Sequence, residues 1–189
     1  GFSKAVKTVM QAAEKNTLRG VHGPVASLMT TKKEYAVALE IALGAALQNI
    51  VVDREEDAKT AIRFLQQRDG GRATFLPLTA IRGDVLRENV AGEYGFVGVA
   101  SELVRYDKQY DNIFKSLLGR TVVMEDMDSA IALARKFRNG FRIVTLDGQV
   151  INRGGSMTGG SVSRSAGVLS RANELERLSG QQGALHEKL

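Results

Sequence analysis

Two hydrophobic periods alternate along the middle of this chain. Asn49-Ile50-Val51-Val52 is an apolar run too short for a helix and reads as a buried strand. A period of three to four follows, because Ala58, Ala61, Ile62 and Leu65 fall on one face of a helix predicted over 54–68. Asp53 stands where the N-cap of that helix belongs, with Glu56 three residues on, the spacing of a capping box. Gly70-Gly71 stops the helix, and Arg72-Ala73-Thr74-Phe75-Leu76 reads as the next strand.

The same order returns about 71 residues later. Thr121-Val122-Val123-Met124 is the strand, Asp126 the cap, and Ala130, Ile131, Ala134 and Phe137 the helical stripe. Asn139-Gly140 stops it before Phe141-Arg142-Ile143-Val144-Thr145-Leu146. Each unit also follows a similar helix, since Tyr35 to Leu43-Gly44 has the spacing of Tyr110 to Leu118-Gly119. The pattern predicts an α/β fold of mixed α+β character, built from two similar α-β-α-β subdomains over 18–98 and 99–165. Where its strands are parallel neighbours, each crossover should be right-handed. Residues 81–98, rich in glycine and charge, read as the joint between halves.

The ends differ from the middle. Phe2, Val6, Val9 and Ala13 alternate spacings of four and three, the pattern of a coiled-coil seam. Val168, Leu175, Leu178, Leu185 and Leu189 fit a heptad frame at the other end, with Arg171 and Gln182 as polar exceptions and Gly180 and Gly183 weakening the helix. Residues 1–17 and 166–189 are therefore expected to be stubs of two coiled-coil arms. The competing reading is a pair of amphipathic helices packed on the core.

Composition narrows the function by exclusion. The chain has no cysteine, which removes disulfides, thiolate metal sites and a cysteine nucleophile. Its only histidines, His22 and His186, speak against a zinc site or a Ser-His triad. The acids crowd first helical turns, Glu55, Glu56 and Asp57 in one repeat and Glu125, Asp126 and Asp128 in the other, where the helix dipole favours them. No catalytic residue, metal or cofactor is implied. With no apolar run of the roughly 20 residues a membrane span needs, and no visible signal peptide, a cytoplasmic protein is expected. The net charge is +5, yet Arg135, Lys136, Arg138, Arg142, Arg153, Arg164 and Arg171 face only Asp147 across 135–171. The basic excess is concentrated there, which suits a polyanionic partner such as DNA.

Gly154-Gly155-Ser156-Met157-Thr158-Gly159-Gly160 carries the sharpest question. Four glycines in seven residues imply either positive φ around an anion or a second backbone at close range. A P-loop lysine is missing after Gly160, and no Gly-x-Gly of a dinucleotide fingerprint is present. A small α/β protein binding a phosphate or nucleotide at this loop remains the alternative, because backbone N–H groups alone can hold an anion. On the close-approach reading, residues 150–161 are an edge strand and turn that meet another copy.

The order of several motifs resembles the hinge domain of structural maintenance of chromosomes (SMC) proteins, most closely the bacterial homodimeric form. The residues that carry it are Gly20-Val21-His22-Gly23-Pro24-Val25, Ala38-Leu39-Glu40-Ile41-Ala42-Leu43-Gly44 with Leu47-Gln48-Asn49, Gly71-Arg72-Ala73-Thr74-Phe75-Leu76-Pro77-Leu78, and Thr145-Leu146-Asp147-Gly148 leading into the glycine pairs. The resemblance implies a homodimerisation module at the tip of an antiparallel coiled coil, in a chromosome-organising ATPase of the nucleoid. Its interface would include Gly154, Gly155, Gly159 and Gly160, with Val150 and Ile151 of the adjoining strand. It further implies sequence-independent DNA binding near the coiled-coil junction, here through Arg153, Arg164 and Arg171. A family lysine cluster is replaced by Ser163-Arg164-Ser165. The implied partners are a second copy, DNA, and the ATPase heads and accessory subunits of the longer protein. Lacking those heads, this chain is expected to have no activity of its own.

Overall fold

The computed structural model describes residues 1–162 and Leu169. Helix α1 (Lys4–Glu14) opens the chain and is capped by Ser3, whose hydroxyl accepts the Val6 N–H at 3.3 Å. It buries Ala5, Val6, Val9 and Ala12 rather than a strict 2-6-9-13 seam, and they pack in one cluster with Ala58, Ala61 and Leu65. Asn16 in the left-handed region ends it, with the Thr17 N–H turned back to the Ala12 carbonyl at 2.9 Å.

The first half continues with β1 (Val21–Pro24), β2 (Met29–Thr31), α2 (Ala36–Leu43), β3 (Ile50–Val52), α3 (Glu55–Gln67) and β4 (Phe75–Pro77). The second half repeats it as β5 (Phe96–Val99), β6 (Val104–Tyr106), α4 (Asp111–Leu118), β7 (Thr121–Met124), α5 (Met127–Lys136) and β8 (Arg142–Thr145). From β1 to the start of α2 the elements return 75 positions later. Two short strands, β9 (Val150–Ile151) and β10 (Met157–Thr158), have no counterpart in the first half. The repeat is thus longer than α-β-α-β: β1, β2, β5 and β6 are strands that hydrophobic period alone does not reveal. They have three or four residues each, and β1, β5 and β6 are interrupted by glycine, proline or arginine.

The expected βαβ units are present, β3 pairing parallel to β4 and β7 parallel to β8. β4 begins at Phe75 instead of Arg72 because its partner β3 is only three residues long. Side chains alternate across these strands as the pleat requires. Val51, Val123 and Val144 enter a central core shared by both halves, whereas Ile50 and Val52 face the α1/α3 side and Val122, Met124 and Ile143 the α5 side. The halves are stitched together by β2 and β6, antiparallel, with Met29 opposite Tyr106, Thr30 opposite Arg105 and Thr31 opposite Val104. Because β2 and β6 are equivalent strands of the repeat, this pairing is self-complementary about Thr30 and Arg105. It makes a local two-fold inside one chain.

The caps differ between repeats. Asp126 accepts the Ser129 N–H at 2.8 Å, as its position predicts. Asp53 does not cap α3. Arg54 holds that position, and the reciprocal carboxylate is Asp57, not Glu56, accepting the Arg54 N–H at 3.1 Å. Asp53 is drawn away by His22, 2.5 Å distant. Residues 81–95 wrap the second half, with Leu86 N–H bonded to the Gly119 carbonyl at 2.8 Å and Val90 buried beneath α5.

Candidate functional site

Each half offers one open sheet edge. The first sheet runs β1-β3-β4 and the second β10-β9-β8-β7-β5. The outer strands β1 and β5 each carry a register irregularity, after Val21 and after Phe96, of the kind that discourages further pairing. β4 and β10 carry none. In the second half β9 lies beside β8; the equivalent place beside β4 is empty among the described residues.

The hydrogen bonds show which backbone groups these edges present. Ile50 N–H binds the Thr74 carbonyl and Leu78 N–H the Val52 carbonyl, so in a parallel ladder the N–H and C=O of Phe75 point outward. Asn152 N–H binds the Ser156 carbonyl at 2.7 Å, which makes Met157 opposite Ile151 a non-hydrogen-bonded pair and turns the Met157 backbone groups outward. The Met157 side chain is 55% exposed. The edge is therefore β10 alone. Val150 and Ile151, expected on it, sit between β8 and β10 with their side chains 8% and 3% exposed.

The glycine run is a hairpin turn and a strand end. Gly154, Gly155 and Gly160 have φ of +90°, +106° and +131°, values that L side chains rarely adopt. A β-carbon on Gly159 would land on the Gln149 carboxamide. That side chain acts as a surrogate strand: its Oε1 accepts the Gly160 N–H at 2.8 Å and its Nε2 donates to the Gly160 carbonyl at 3.0 Å. Gly154 N–H binds the Asn139 carbonyl and Gly155 N–H the Asn152 carbonyl, both at 2.9 Å. Each glycine is thus required by its own chain. The three N–H groups bound in this way are not free to cradle a phosphate.

Of the predicted basic residues, Arg153 lies exposed in the turn, and Arg164 and Arg171 fall outside the described residues. Arg138 is brought beside Arg153, because the Asn139–Gly154 bond joins their neighbours in the chain. Arg142 is half-buried and donates through Nε and Nη2 to Thr121 Oγ1 at 3.1 and 2.9 Å; burial holds its guanidinium below the usual arginine range. None of the three forms an ion pair among the described residues.

Sequence reasoning missed a polar link across the halves. His22 Nε2 meets Asp53 Oδ1 at 2.5 Å and His22 Nδ1 meets the Tyr110 hydroxyl at 2.8 Å. A lone histidine carries no pattern to reveal it. Burial, aided by the hydrogen bond and charge of Asp111, raises the Tyr106 phenol far above its ordinary value; burial also raises Tyr110. Tyr106 donates to Asp111 at 2.8 Å and stacks on Phe114 at 4.5 Å between ring centres.

Residues 18–134 match the sequence pattern of the family described as SMC proteins Flexible Hinge Domain. The chain belongs to the SMC hinge family. This hinge is 44% identical, over its whole length, to the chromosome partition protein Smc of Bacillus subtilis, of which it spans 16%. It is 41% identical over 92% of its length to Smc of Methanocaldococcus jannaschii, spanning 15% of that protein. The chain thus covers about a sixth of the length of these relatives. Among solved structures it resembles an asymmetric dimer of the Geobacillus stearothermophilus SMC hinge domain, with TM-score 0.88 and 43% identity over 96% of this chain and 74% of that one. The Pyrococcus furiosus SMC hinge follows with TM-score 0.72 and 31% identity over 85% and 81%. No described helix is long and apolar enough to cross a membrane.

Proposed function

We propose that this hinge is a homodimerisation module of a chromosome-partitioning SMC ATPase. The carrying observation is the pair of unbulged open edges, β4 in one half and β10 in the other. If β10 of one copy adds beside β4 of a second, a two-fold axis repeats the contact with the roles exchanged. Both edges of both copies are then consumed, and the assembly closes as a ring of two. Outward-facing backbone groups at Met157 and at Phe75 supply the hydrogen bonds, while the bulges on β1 and β5 stop the sheet from growing. The turn at Gly154-Gly155 and the strand end at Gly159-Gly160 leave the flank of β10 free of side chains, which lets a second backbone approach.

Met157→Pro tests this reading. It removes the outward N–H and leaves the β9 bonds in place, so the folded chain should turn from dimer to monomer in light scattering at micromolar concentration. A folded dimer of this variant refutes the edge pairing. It is a cleaner test than alanine at the four glycines, where positive φ or Gln149 would disturb the monomer first.

A second reading concerns DNA. Arg138 and Arg153, exposed at the turn and without an ion pair among the described residues, support sequence-independent phosphate binding together with Arg164 and Arg171 of the following segment. Affinity should fall steeply with salt as counterions are released. Arg138→Glu with Arg153→Glu should weaken binding at every salt concentration and flatten that slope; an unchanged slope in fluorescence anisotropy removes these two residues from the site.

A further inference from the structure

Helix α2 buries a carboxylate in a place where hydrophobic packing has no use for one. Glu40 is 5% exposed, surrounded in its own helix by the buried Ala36, Ala38, Leu39, Ala42 and Leu43. A buried carboxylate persists only where hydrogen bonds replace its lost water. One such bond joins distant parts of the sequence: Glu40 Oε1 accepts the backbone N–H of Leu169 at 3.0 Å, 129 positions away. Leu169 is helical, 0% exposed, and part of the central core. It lies in the stretch 166–189, expected from its heptad pattern to be the C-terminal arm and, Leu169 apart, outside the described residues. A carboxylate that accepts a backbone N–H makes a charge-assisted contact, stronger than a neutral one.

The same helix touches the root of the interface edge. A β-carbon at Gly148 would lie 3.2 Å from both Val37 and Ile41 of α2 and 3.0 Å from Val162. The next residue, Gln149, is the one that clamps Gly160 behind β10. α2 of the first half therefore meets both the turn that secures β10 and the chain at Leu169.

We propose that Glu40 is a positioning residue that anchors the C-terminal arm to the first half, although the arm follows the second half in sequence. The meaning of the arm rests on the hinge reading above; the anchor itself rests on the Glu40–Leu169 contact. A pull along the arm is delivered through Leu169 to α2. It is diverted from residues 159–162, which would otherwise carry it straight into the β10 edge. Glu40 in this sense shields the dimer edge from load on the arm.

The test uses the full chain, whose lack of cysteine allows clean labelling. Spin labels at Lys7→Cys and Asn173→Cys, diluted with unlabelled chain, report the separation of the two ends. A single narrow distance distribution is expected, and Glu40→Leu should broaden it. An unchanged distribution in Glu40→Leu overturns the proposal. Should that variant fail to fold, Glu40→Gln keeps the shape and one acceptor but loses the charge. Its Leu169 amide should then exchange about tenfold faster while the amides of Ile50–Val52 keep their protection; equal exchange at Leu169 overturns the anchor. Light scattering of the same variants separates this inference from the edge pairing. The Glu40 variants should remain dimeric, and a Glu40 variant that becomes monomeric with its arm separation unchanged refutes the anchoring role.

Discussion

Arg54 and Asp126 occupy equivalent cap positions in the two repeats, and only Asp126 has the chemistry for the place. Replacing Arg54 with serine should supply the missing acceptor and stabilise the chain by about 1 kcal/mol, whereas Asp126→Ala should cost about the same. Urea unfolding checks both. The buried tyrosines predict the alkaline limit of stability. Tyr106 and Tyr110 are raised above the ordinary 10.0, so their phenols stay protonated in the folded chain when the unfolded chain would ionise. Their contribution is fully present below pH 10 and is lost as pH rises through the folded values. Thermal unfolding between pH 8 and 11 should show the loss, and Tyr106→Phe should reduce it while keeping the stack on Phe114.

At the scale of elements, the turn between β9 and β10 is the most demanding segment. Gly155 combines φ of +106° with a β-carbon position 3.1 Å from Asn139 Nδ2. Gly155→Ala should therefore destabilise the monomer by roughly 1–2 kcal/mol, and by more than Gly154→Ala, whose β-carbon meets nothing within 4 Å. Chemical denaturation at a concentration low enough to dissociate the proposed dimer isolates that effect. The two glycines after paired helices show how one letter serves two needs. Gly44 ends α2 with φ of +52°, while Gly119, with ordinary φ, has the Asp84 carbonyl where its side chain would be. The Leu-Gly match was legible in the sequence; the difference in cause was not, because the segment of the joint that holds Asp84 arrives from 35 positions away.

At the scale of the molecule, duplication explains both the inner and the proposed outer contact. Equivalent strands β2 and β6 pair inside the chain, and inequivalent edges β4 and β10 remain open because only the second half gained a β9–β10 hairpin. A closed ring leaves no unbulged edge, so sedimentation should show dimers without larger species as concentration rises. Across the seam, His22→Ala should remove the link to Tyr110 and Asp53 and lower stability by about 1–2 kcal/mol without changing the urea slope.

The sequence by itself determined the duplication, the two parallel β-α-β units, the helix stops, and the location of basic charge, because each is written in local period, spacing or composition. Only the tertiary structure decided that β10 rather than Val150-Ile151 is the edge, that the glycines form a turn and a strand end, that Asp53 serves His22 instead of α3, and that Glu40 holds Leu169. The physical reason is common to all four. A backbone group or carboxylate takes whichever partner burial brings within about 3 Å, and that partner stands at no fixed distance along the chain.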